Sequence, residues 1–157
     1  MELELQLTML GRASLGALLG LVIGLEREYR GKAAGERTFA LLAFAAAGFS
    51  AMGELLLGPE GASRVIQGVA TGVGFLGAGL IFRRKPTDIR GLTTAAGAWA
   101  ATAVGTIVGM GAYLAAALAA AVVVIILELD SIPVLRRIRE STETAASAQS
   151  EQEDGEG

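Results

Sequence analysis

From Leu92 to Leu129 the chain runs for 38 residues with no charged side chain before Glu128. A bilayer core about 30 Å thick takes roughly 17 to 25 helical residues to cross, so this stretch is too long for one span and just long enough for two. Gly109-Met110-Gly111 is the natural turn, giving two short helices near 92–108 and 112–129. Three other stretches almost free of charge also meet the length of a span, at 7–25, 38–57 and 63–82. The expected fold is therefore all-α: a polytopic membrane protein, a bundle of five transmembrane helices occupying residues 1–139. Composition agrees, since 52% of the residues are apolar, 22 are glycine, and the 13 basic and 16 acidic residues sit in a few clusters. A cleavable signal peptide would start with basic residues, whereas Glu2 and Glu4 precede the first apolar run, so that run is expected to remain as an anchor.

The basic clusters give the bundle a direction. Arg27, Arg30, Lys32 and Arg37 fall between the first two spans, Arg83, Arg84, Lys85 and Arg90 follow the third, and Arg136, Arg137 and Arg139 follow the fifth. The alternate segments hold only Arg64. Because cytoplasmic loops collect lysine and arginine, the N-terminus is expected outside and the C-terminus in the cytoplasm. A four-span or six-span count would put two of the clusters on opposite sides. Residues 140–157 contain six acids and no aliphatic side chain larger than alanine, the composition of a disordered acidic tail.

With no cysteine and no histidine, the chain has no thiolate nucleophile, no disulfide, and neither the usual zinc ligand nor the usual proton carrier. No nucleophile–base pair stands out, so an enzyme is not expected. Gly72-Val73-Gly74-Phe75-Leu76-Gly77 matches the dinucleotide fingerprint by letter, but it sits inside an apolar run instead of between a strand and a helix. No cofactor and no nucleic-acid partner are expected. Such glycine density instead raises the alternative of a locally unwound helix with exposed carbonyls. Arg12, Gly16, Gly20 and Gly24 lie four apart on one helix face, as do Gly97, Ala101, Gly105 and Gly109. Small residues at that spacing let backbones approach closely in lipid, within a bundle or between subunits.

Arg12 and Glu54 are ionisable residues inside spans, near the same surface, and either pair with each other or snorkel. At the other surface, charges gather at the helix ends: Glu26-Arg27-Glu28, Glu36-Arg37, Asp88 and Arg90, and Glu128 with Asp130. Pairing or solvation accounts for most such charges. As a ligand set, acids without histidine or cysteine would favour a hard cation such as Mg²⁺.

Four motifs occur in order: Gly20-Leu21-Val22-Ile23-Gly24-Leu25-Glu26-Arg27-Glu28; Ala34-Gly35-Glu36-Arg37-Thr38; Gly74-Phe75-Leu76-Gly77-Ala78-Gly79-Leu80-Ile81; and Gly91-Leu92-Thr93-Thr94-Ala95-Ala96 with Trp99. In this the chain resembles the MgtC/SapB family of bacterial inner-membrane proteins over about residues 10–125. The resemblance implies five transmembrane helices with a cytoplasmic C-terminus, in the cell inner membrane. It also implies an association with Mg²⁺ homeostasis and low-Mg²⁺ adaptation, and with virulence in the family's namesake. Carried over motif by motif, it points to Glu26, Arg27, Gly35, Arg37, Thr38, Gly74, Gly77, Gly79, Asp88, Gly91, Thr93, Thr94 and Trp99 as the functional set. The chain departs from the family where Glu36 replaces a usually apolar residue. It departs again after the fifth helix, where an acidic tail stands in place of a folded cytoplasmic domain.

Each residue then receives an expected role. Arg27 and Arg37 would clamp Glu26 or an anionic group. Thr93 and Thr94 would cap the fourth helix or hold a ligand. Trp99 would pack between helices. Two functions stay open: a regulator or accessory that binds other membrane proteins, and a small ion or solute transporter or channel that works as a homo-oligomer.

Overall fold

The computed structural model describes residues 2–85 and 88–129, without the side chains of 82–88. The chain is a helical membrane protein with four helices among the described residues: α1 (Leu3–Tyr29), α2 (Glu36–Leu80), α3 (Leu92–Gly109) and α4 (Tyr113–Glu128). A two-stranded antiparallel hairpin, β1 (Phe82–Lys85) and β2 (Asp88–Arg90), joins α2 to α3. Residues up to Val124 form one compact unit; of the unit that begins at Ile125, only the end of α4 and Leu129 are described. The tail 140–157 and Asp130, Arg136, Arg137 and Arg139 lie outside the described residues.

By length and composition three helices can cross a membrane, namely α1, α2 and α3, while α4 is a shorter apolar helix. Where five separate helices were expected, the second and third spans are two arms of α2. Gly58, at φ 68° and ψ −175°, is the non-helical residue between them, and Pro59 follows it. A side chain at residue 58 would be strained at that φ, and proline disfavours helical geometry in the residue before it. The chain reverses there. A Cβ built on Gly53 would lie 3.1 Å from Cα of Ala62, whereas nine residues along a straight helix are about 13 Å apart.

The other boundaries differ by a few residues. The third span was expected to reach Phe82, but the helix ends at Leu80 and the chain becomes extended. The hairpin that follows was not anticipated; its strands are too short for alternation to register. The predicted turn at 109–111 is present, with Gly111 at φ 80°. Residues 72–79 stay helical, so the unwound-helix alternative at Gly72–Gly77 does not hold: Gly58 is the one non-helical residue inside α2.

Packing is that of a bilayer protein, with small residues inside and large ones outside. Ala43, Ala46, Ala47, Ala51, Ala98 and Ala101 are buried, while Leu18, Val22, Leu41, Leu56, Leu114 and Leu118 are exposed. In water so much outward leucine would drive aggregation; against lipid it costs nothing, and interior contact comes from close backbone approach. Ala43 and Ala47 of α2 form the ridge on which the core is built. α1 meets it through glycine, for a Cβ on Gly20 would fall 2.5 Å from the Phe39 carbonyl and 2.7 Å from Cβ of Ala43. α3 meets it from another side, for a Cβ on Gly105 would fall 2.8 Å from Cα of Ala43. Both glycine stripes read from the sequence therefore face the same ridge.

Candidate functional site

Polar side chains collect at the two ends of this three-helix core. At one end α1 leaves the bundle through Glu26 and Arg27, which are buried side by side where α1 meets the start of α2. Both donors on one edge of the Arg27 guanidinium, Nε and Nη2, reach the Glu26 carboxylate. Arg30, one turn on, adds Nε at 3.7 Å from Glu26 Oε1. The reason for the burial lies in Gly24: a Cβ there would be 2.5 Å from Cα of Glu36. Without that Cβ, α2 begins directly against α1 and covers the pair.

Gly35 caps α2 and makes room for the Glu28 carboxylate, which a side chain at 35 would displace. Glu36 places a negative charge in the first turn of α2, where the helix dipole favours it. Arg37 does not share the clamp expected of it. It is 93% exposed, with Nε 3.6 Å from Glu36 Oε1, and Thr38 is exposed beside it. Residue 37 points away from α1 because Phe39, two positions on, is the side chain that fills the α1–α2 seam.

At the other end Arg12 and Glu54 meet. Arg12 Nη1 is 2.9 Å from Glu54 Oε2 and donates a second hydrogen bond, of 2.7 Å, to the carbonyl of Gly109. One guanidinium thereby ties α1, the first arm of α2 and the end of α3. Gly109 is closed on its far side by Ser50, whose Cβ lies 2.7 Å from where a Gly109 Cβ would be. Ser50 is fully buried and its hydroxyl has no hydrogen-bond partner among the described residues. Replacing Arg12 and Glu54 singly and together is expected to give a coupling of about 1 kcal/mol, well above the near-zero value of two independently snorkelling residues. Thermal unfolding in detergent measures it.

The remaining motif residues lie along the second arm of α2 and the start of α3. Gly91 is the N-cap of α3 at φ 88°, and a Cβ on it would run into the carbonyl of Leu80. The expected capping by Thr93 and Thr94 is not made: the cap is a glycine, no side chain bonds the first turn, and both threonines are already inside the helix. Thr94 is buried and Thr93 exposed. Trp99 was expected between helices but is 53% exposed, beside a shallow recess also lined by Ile66, Val69 and Val73. Gly77 approaches Ala95, whereas Gly74 and Gly79 face open space. Asp88 lies in β2; its side chain is outside the described residues.

The structure thus pairs Glu26 with Arg27, sets Gly35 against Glu28, and leaves Arg37, Thr38 and Trp99 on the surface. Among the described residues no three acidic side chains converge as cation ligands. Five residues of the arrangement were not expected from the sequence: Arg30, Phe39, Ala43, Ala47 and Ser50. Arg30 is four residues from Glu26, a spacing that places both on one helix face. Phe39, Ala43 and Ala47 repeat at the same interval and so had a readable signal; Ser50, an isolated serine in an apolar run, had none.

A profile of the MgtC family matches residues 14–133. The protein SrpB of Synechococcus elongatus is 45% identical over 115 residues, covering 65% of this chain and 63% of its own. The protein MgtC of Brucella abortus is 44% identical over 102 residues, or 65% of this chain and 42% of its own. The protein MgtC of Salmonella typhimurium is 40% identical over 108 residues, or 69% and 46%. The matched region is thus less than two thirds of the length of these relatives. No solved structure matches the chain. The motifs at both ends of the core and the long family match together place this chain in the MgtC family.

Proposed function

We propose that the chain is an inner-membrane regulator or accessory in Mg²⁺ homeostasis that acts by binding other membrane proteins and is not itself an enzyme or a conduit. In this reading α1, the two arms of α2, α3 and α4 are five crossings, with the N-terminus outside and the C-terminus in the cytoplasm. The ends of α1 and α2 that hold Glu26, Arg27 and Gly35 then face the cytoplasm, and the Arg12–Glu54 contact lies near the outer surface. The arginines of the α1–α2 loop and Arg90 support that direction. The link to Mg²⁺ comes from the family resemblance.

The observation that carries the choice is how the charges at the two ends of the core are paired. Arg12 is engaged by Glu54, and Glu26 by Arg27 and Arg30. Acids neutralised within a close-packed core fasten helices; a cation pathway would need them free to exchange ligands. A groove of about 410 Å³ between the two arms of α2 is lined by apolar side chains with Thr102 as its one hydroxyl. Thr102 donates that hydroxyl to the carbonyl of Ala98.

Purified protein in vesicles tests this. No Mg²⁺ flux above that of empty vesicles, together with slowed growth at low Mg²⁺ on deletion, is the expected outcome. Protein-dependent, saturable flux would replace the reading with a transporter.

A further inference from the structure

The outward faces of the helices are not alike. α1, the first arm of α2 and α4 turn large aliphatic side chains outward, among them Leu18, Leu41 and Leu118. The second arm of α2 instead exposes Ser63, Gln67, Gly68, Thr71 and Gly72, spaced three and four apart along one stripe. Nothing lies within 4 Å of a Cβ built on Gly68 or Gly72. Gln67 and Thr71 are eight and twelve residues beyond Pro59, hence about 12 and 18 Å along an arm about 33 Å long. They sit in the middle of the arm, where an unpartnered amide facing hydrocarbon is costly.

Local bonds satisfy only part of this polarity. Gln67 Nε2 donates to Ser63 Oγ at 3.3 Å, and Thr71 Oγ1 donates to the Gln67 carbonyl at 2.9 Å. The Gln67 carboxamide oxygen has no partner among the described residues. At the start of the arm Glu60 and Arg64 are exposed on the same face, and neither forms an ion pair among the described residues.

We infer that a second copy of this chain docks on this face. Two copies inserted the same way are related by a two-fold axis along the membrane normal, so the face meets itself. That symmetry sets the carboxamide of Gln67 against the partner's Gln67, donor to acceptor in both directions. It seats Gly68 and Gly72 against their counterparts at close backbone distance, and brings Glu60 within reach of the partner's Arg64. The apolar groove beside Gly68 and Gly72 offers a seat for the ring of the partner's Phe75, a residue 83% exposed in one copy. An acyl chain would fill the groove but leave every one of these polar groups unanswered, which is why the inference commits to a second copy. It uses the depth of Gln67 and therefore rests on the five-crossing reading.

The chain lacks cysteine, so single-cysteine variants of the full protein are clean probes in isolated membranes. On oxidation Gln67→Cys and Thr71→Cys are expected to give cross-linked dimers, whereas the outward Leu18→Cys and the buried Val73→Cys give none. Adding Gly72→Leu to Thr71→Cys is expected to cut the dimer about tenfold. The space beside Gly72 is open in a single copy, so that change leaves the monomer's packing alone. Equal cross-linking at Leu18, an unchanged dimer with Gly72→Leu, or cross-links only to a different protein would overturn the inference. Labelling of Arg64→Cys by an impermeant maleimide from outside tests the crossing pattern separately, whatever the cross-links show.

Discussion

Gly105→Ala is expected to destabilise the protein by about 3 kcal/mol, the upper range for overpacking a close-fitted core. The added methyl would meet the carbonyl and Cα of Ala43, which are backbone, so no rotamer change can clear it. α2 has no room to retreat, because Gly20 of α1 presses the same ridge at Phe39 and Ala43. Either α3 withdraws along its length or α1 is displaced in turn. Gly11→Ala is the matched control: it lies on the exposed side of α1 with nothing within 4 Å of a built Cβ. There alanine should be neutral or add up to about 1 kcal/mol through helix propensity. Thermal unfolding of the two variants in one detergent compares them directly. Equal midpoints would mean that the helices do not meet at the Ala43–Ala47 ridge.

Removing half of the buried ion pair should have the other large effect. Arg27→Met leaves the Glu26 carboxylate buried with Arg30 Nε 3.7 Å away, and removing one partner of a buried ion pair typically costs about 3 to 5 kcal/mol. Glu26→Gln takes the carboxylate away from the buried guanidinium and should cost stability too. Replacing both together, as Glu26→Gln with Arg27→Met, should recover much of the loss, since the pair's attraction mainly offsets the cost of burying it. The exposed Arg37 separates this from a general effect of charge: Arg37→Met should change stability by less than about 0.5 kcal/mol. A midpoint for Arg27→Met no lower than that for Arg37→Met would place the Glu26–Arg27 pair in contact with solvent.

How much of this was legible in the sequence depended on whether one helix or several carried the information. The glycine stripes of α1 and α3 could be read because four-residue spacing fixes a face within a single helix. Their common target could not, because Ala43 and Ala47 become a ridge only when two other helices arrive on them. The pairing of Arg12 with Glu54 was one of two readings, since depth alone brings two charges to the same level without bringing them together. The role given to Arg37 failed for a related reason. Residues 27 and 37 flank one short loop, but the rotation of α2 about its own axis, set by the burial of Phe39, turns Arg37 outward. The threonine caps failed because Gly91, in a left-handed conformation that glycine tolerates, already starts α3.

By itself the sequence determined that the chain is helical and apolar, with breaks between 57 and 63 and at 109–111, because these follow from local conformational preference and from hydropathy over a window of residues. Only the tertiary structure decided which charges are buried, which glycines are contacts and which face open space. Those depend on the relative rotation and approach of whole helices, quantities that no local stretch of sequence contains.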